Sequence, residues 1–91
     1  MVDPLEQAIF ELIRQRKPKS FCPSEVVRWI YPEDWRHFMP DVQKTMMDLY
    51  RKRKISITQK GIPVDPNFLP KGPVRIQSND IKDDAITENN D

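Results

Sequence analysis

The chain is poor in the residues that most often carry chemistry. It has one cysteine and one histidine among 91 residues. The lone Cys22 closes no intramolecular disulfide, which agrees with a reducing, cytoplasmic setting. Cys22 and His37 together fall short of the roughly four Cys or His ligands of a closed zinc site, so structural zinc is not expected. No uninterrupted apolar run exceeds three residues, against about 20 for a membrane-spanning helix. Met1-Val2-Asp3-Pro4 has no basic stretch leading into an apolar run, so no secretory signal is expected. There is no P-loop, dinucleotide fingerprint or metal-ligand cluster. Catalysis, a metal and a cofactor are therefore not expected.

Charge is what the chain has in quantity. Charged residues make up 32% of it and its mean hydropathy is -0.72, the profile of a soluble protein. A chain of this length suffices for one domain and not two. Its core is thin, because a body of this size buries only about 60% of its unfolded surface. Residues 1–77 hold 14 Lys and Arg against 9 Asp and Glu, whereas residues 78–91 hold Lys82 against Asp80, Asp83, Asp84, Glu88 and Asp91. A basic body with an acidic tail is one pattern that accompanies nucleic-acid binding. The tail lacks an apolar face and is rich in Asp and Asn, so disorder is expected from about residue 78 and a folded domain over 3–77.

Helix signals come first along the chain. Asp3 is placed to cap a helix that begins at Pro4, where the missing N–H does no harm. Leu5, Ala8, Ile9, Leu12 and Ile13 recur at helical spacing. Arg14, Arg16 and Lys17 complement the negative end of the dipole, and Pro18 stops the helix. Ser20-Phe21 fits a brief extended segment. Cys22-Pro23-Ser24-Glu25 predicts a second start, with Glu25 reaching back as in a capping box. Val26, Trp29 and Ile30 are the expected buried side of this helix, Val27 and Arg28 the exposed one, and Pro32 its end. Residues 33–39 form a bridge. A third helix is expected over residues 40 to about 54, with Val42, Met46, Leu49 and Tyr50 as its core face. Asp41, Lys44, Asp48, Arg51 and Lys52 lie opposite.

The period then changes from helical to alternating. Ile55 and Ile57 against Ser56 and Thr58, and later Val74 and Ile76 against Arg75 and Gln77, predict two half-buried strands. Residues 60–73 between them are far longer than a two-residue hairpin turn. Four prolines stiffen the segment, and Val64 is available to pack down.

Three helices followed by a hairpin with a projecting loop predict an α+β fold. It is a winged helix-turn-helix, three helices packed on a small antiparallel β-hairpin, the wing. Three blocks then carry a resemblance: Phe21-Cys22-Pro23-Ser24-Glu25-Val26; Asp34-Trp35-Arg36 with Met39-Pro40; and Ile57-Thr58-Gln59-Lys60-Gly61 with Pro63-Val64-Asp65-Pro66. Lys71-Gly72-Pro73-Val74-Arg75-Ile76 extends it. Over roughly residues 4–77 the chain resembles an uncharacterised bacterial family of short winged-helix proteins, classed as a domain of unknown function. The resemblance implies the fold and implies no activity.

Three kinds of function remain open. The first is DNA binding, with the third helix in the major groove and the wing on the backbone. Gln43, Lys44 and Arg51 would come from the helix, Lys60, Gly61 and Lys71 from the wing, and Arg36 would reach a phosphate. Gly61 and Gly72 would let the wing backbone approach closely. Asp41 and Asp48 weigh against this, since they would point at phosphates. The second is a protein-interaction module using Trp35, Phe38, Phe68 and Leu69, although for Trp29 and Trp35 a place in the core is the favoured expectation. The third is redox chemistry at Cys22, favoured by a helix N-terminus and opposed by the lack of a second cysteine. A small apolar cap is the simpler role for Cys22.

Overall fold

A proline sits in the first turn of every helix, where its fixed φ favours helical entry and its absent N–H would have had no partner. The computed structural model describes residues 3–79 and contains α1 (Pro4–Arg16), α2 (Pro23–Ile30) and α3 (Met39–Arg51). Asp3 caps α1 by accepting the Leu5 N–H at 2.9 Å. At α2, the Glu25 carboxylate accepts the Cys22 backbone N–H at 3.0 Å, the reach-back half of the capping box. This bond is the main reason that the Glu25 carboxyl lies below its usual range, with Arg16 contributing. The ion pair between Arg16 and Glu25, at 2.8 Å, ties the end of α1 to the start of α2.

The sheet is antiparallel, with β1 (Ile55–Gln59) between β2 (Ile62–Pro63) and β3 (Arg75–Ser78). Ile55 pairs with Ser78 and Ile57 with Ile76. Phe21 extends the sheet beyond β3, exchanging backbone hydrogen bonds with Ile76 at 2.9 and 2.7 Å. The brief extended segment expected at Ser20-Phe21 is therefore real, and it joins the wing to the helices. Ile9, Phe21, Val26, Val42, Met46, Leu49, Ile55, Ile57 and Ile76 are almost wholly buried and form one core beneath the sheet. This is an α+β winged-helix arrangement.

The expected faces and ends need five corrections. In α2, Val27 is fully buried while Trp29 is 52% exposed. This short helix is packed against both α1 and α3, so adjacent positions Val26 and Val27 both face neighbours. In α3, Met47 joins the core and Tyr50 is only half buried. The helix also stops at Arg51, short of residue 54. Arg53 takes a left-handed φ of 63°, and its N–H and that of Lys54 return to the carbonyls of Tyr50 and Leu49, both at 2.9 Å. This is the double hydrogen bond that usually closes a helix on glycine.

The fourth correction concerns the long loop, which contains a strand and a tight turn. Gln59 pairs with Ile62 and Thr58 with Pro63, leaving Lys60 and Gly61 as a two-residue hairpin turn. Both have positive φ, 54° and 81°, as the turns matched to strand twist require. The Val64 N–H donates to Ile57 at 3.2 Å. Bonded and non-bonded pairs alternate along an antiparallel ladder, so Pro63 occupies a non-bonded position and costs the ladder nothing. At the far end, β3 runs through the buried Ser78, one residue past the expected limit. Residues 80–91, most of the expected tail, lie outside the described residues. Among the described residues no helix is long and apolar enough to cross a membrane.

Candidate functional site

The segment after β2 is fastened to the end of α3. Tyr50 and Arg51 are consecutive and diverge around the helix, so they reach successive parts of the segment. The Tyr50 hydroxyl donates to the Val64 carbonyl at 2.6 Å, and Arg51 Nε donates to the Pro66 carbonyl at 2.8 Å. Burial, with Asp65 nearby, holds the Tyr50 phenol above its ordinary value. Asp65 Oδ1 accepts the Asn67 N–H at 2.9 Å, and the Asp65 carbonyl accepts the Phe68 N–H at 3.3 Å. These two bonds close a turn over residues 65–68. Further along, Gln59 Nε2 donates to the carbonyls of Lys71 and Pro73. Gly72, at a φ of 89°, makes the bend that brings this strand of chain back over β1, where a side chain would meet Gln59.

The result is a wing in two layers, the β1–β2 hairpin and the returning segment, with a cleft of about 830 Å³ between them. Lys60, Asp65 and Lys71 line the cleft. The predicted residues Lys60, Gly61 and Lys71 thus come together at one surface and are exposed. Lys52, Arg53 and Lys54 follow α3 and are exposed as well. Among the described residues none of Lys52, Arg53, Lys54, Lys60 and Lys71 forms an ion pair. The basic run at 51–54 was visible in the sequence, but reading it as helix hid its place at the base of the wing.

The other predicted DNA contacts are elsewhere. Arg51 is committed to Pro66 and to Asp48, the latter at 3.0 Å, so it holds the wing. Lys44 lines a shallow depression with Asp3, Asp41 and Asp48, where acids outnumber it. Thr45 donates to Asp3 Oδ2 at 3.2 Å, bringing the third acid alongside. Gln43 is half buried. Arg36 lies with its guanidinium 4.4 Å from the centre of the Trp35 ring, and Arg28 lies 4.5 Å from the same ring, a doubled cation–π contact.

The aromatic candidates separate into two groups. Trp35 and Phe38 are half buried and packed against the core, and Phe38 stacks on Tyr31 at 4.0 Å between ring centres. Phe68 and Leu69 are 70% and 50% exposed. Trp29, which was expected in the core, borders a groove between α1 and α2 with Phe10 and Ile30. Cys22 is half buried, and its sulfur accepts a hydrogen bond from Ser24 at 3.2 Å.

Comparison with curated proteins finds no match. Residues 2–79 do match the model of the family described as Protein of unknown function (DUF3253), and the chain belongs to that family.

Proposed function

We propose that the domain binds duplex DNA in the cytoplasm, as a transcription-regulatory module acting by stoichiometric binding, and that the wing carries the contact. One observation carries this reading: a wing fastened to α3 presents Lys60 and Lys71, which form no ion pair among the described residues, with Lys52, Arg53 and Lys54 exposed at its base. Free lysines on a fixed scaffold release counterions from phosphates without losing loop entropy on binding. The exposed face of α3 is less suited to phosphates, because Asp41 and Asp48 flank Lys44. The wing therefore leads, and α3 lies beside the groove edge with Gln43 and Lys44 as secondary contacts. Five phosphate contacts would give a slope of about -4 to -5 in log K against log salt.

The test is a titration of the ¹⁵N-labelled protein with a mixed-sequence duplex, at low and then moderate salt. Amide shifts centred on residues 52–54 and 60–72, weakening steeply with salt, are the expected result. An unchanged spectrum at low salt overturns the reading. That outcome would favour a protein-interaction module, for which the exposed Phe68 and Leu69 are the specific observation.

A further inference from the structure

Phe68 and Leu69 are adjacent apolar side chains that the wing leaves in solvent, as it does Ile62 of β2. The pair is 70% and 50% exposed, and the chain that carries it is held on both sides. Before them, Tyr50 and Arg51 pin the Val64 and Pro66 carbonyls, and the Asp65 turn closes onto the Phe68 N–H. After them comes Pro70, and Gln59 pins the Lys71 carbonyl. A loose loop could fold such a pair inward, whereas this anchorage keeps it out in solvent.

The surroundings of the pair say what it faces. Lys71 is two residues beyond Leu69, and Lys60 lines the same cleft as Lys71. Asp65 is the only acidic residue between Ile55 and Gln77, and one of its oxygens is occupied by the Asn67 N–H. An apolar pair that runs directly into a cleft lined by two lysines, with little negative charge in the same stretch of chain, matches a target with an apolar interior bordered by anions. The minor groove of DNA has that form, with stacked bases between phosphate strands, and proteins that bend DNA enter it with apolar wedges flanked by cations.

We propose that Phe68 and Leu69 form a wedge that enters a base step from the minor groove, while Lys60 and Lys71 contact phosphates of the adjoining backbone. The wedge partly unstacks the step and bends the duplex away from the wing. It rests on the DNA-binding reading above and adds a mode to it. Steps that unstack easily, TA and CA, are the preferred targets.

The test uses the full chain and a 20-base-pair duplex with a central TA step. One version carries 2-aminopurine in place of the adenine of that step, and another carries a donor and an acceptor dye at its two ends. With the wild-type chain at low salt, 2-aminopurine fluorescence rises and the ends approach. Phe68→Ala/Leu69→Ala, at exposed positions that leave the core intact, abolishes both signals. It weakens binding on the order of tenfold, the range found when a base-stacking aromatic is removed, and keeps the same salt slope. Phe68→Trp retains both signals. If wild type and the double variant bind alike with equal fluorescence, the wedge is wrong while DNA binding stands. If the wild type does not bind at low salt, DNA binding itself is overturned and the wedge falls with it.

Discussion

Replacing Tyr50 by phenylalanine removes one oxygen atom and tests how the wing is held. The ring keeps its packing, but the Val64 carbonyl loses a donor at 2.6 Å. A net hydrogen bond of this kind is worth about 0.5–1.5 kcal/mol. The site is only half buried, so water can reach the freed carbonyl and no large desolvation cost is added. A loss of about 1 kcal/mol multiplies the opening equilibrium of the wing by roughly five. The loss should be local, because the pinned segment can lift without disturbing the core. Amide hydrogen exchange reads it directly. The Val64 amide, bonded to Ile57, and the Phe68 amide, bonded to Asp65, should exchange about fivefold faster in Tyr50→Phe. The Phe21 and Ile76 amides, bonded to each other's carbonyls, should not change. Unaltered protection at Val64 and Phe68 would show that the hydroxyl does not hold the wing. Equal acceleration at all four amides would show that the wing and the core open as one unit.

Further outcomes follow from neighbouring details. Arg53→Gly should stabilise the domain by about 1 kcal/mol, since a side chain at left-handed φ costs about 1–2 kcal/mol; thermal melting would show a rise of several degrees, and a fall would mean that the Arg53 side chain has a structural role. Phe21→Ala removes a wholly buried ring and should cost about 3–5 kcal/mol, a large share of the stability of a domain this small, visible as a lost or greatly lowered urea midpoint. The Tyr50 phenol is raised above its ordinary value, so its contribution is full below about pH 10 and is lost as the pH rises through the higher folded value; Val64 protection should decline there in wild type and not in Tyr50→Phe. Glu25 is lowered, so its contribution is present at neutral pH and lost as the pH falls below the ordinary carboxylate range; Glu25→Gln should flatten the acid limb of the stability curve.

Much of the fold could be read from local signals. Asp3-Pro4, Cys22-Pro23-Ser24-Glu25 and the alternation at 55–58 each depend on residues a few positions apart, and each appears where expected. The failures have two causes, contacts between distant parts of the chain and local signals that were missing or misleading. Which of Val27 and Trp29 is buried depends on α2 having neighbours on two sides. Arg53 ends α3 without the glycine that would have announced it. β2 was hidden by Pro63, since proline argues against a strand unless it occupies an outer, non-bonded position. The candidate site divides in the same way. Lys60, Gly61 and Lys71 share one loop, so their convergence was legible. Arg51 reads as one more exposed cation until its bond to Pro66, fifteen positions away, shows it to be a strut. The acidic company of Lys44 includes Asp3, which only the packing of α1 against α3 brings near.

Pro63 has a consequence for behaviour at high concentration. An outermost strand offers unpaired N–H and C=O groups to any passing chain, and that is how many sheet proteins begin to aggregate. β2 is two residues long, and its ladder position turns the nitrogen of Pro63 outward, where there is no hydrogen to donate. A strand from another molecule would find half of the expected pairing missing. This guard matters because Ile62 beside it is 68% exposed and would otherwise make that edge adhesive. The wing thereby keeps apolar groups in solvent without inviting its own copies to add to the sheet.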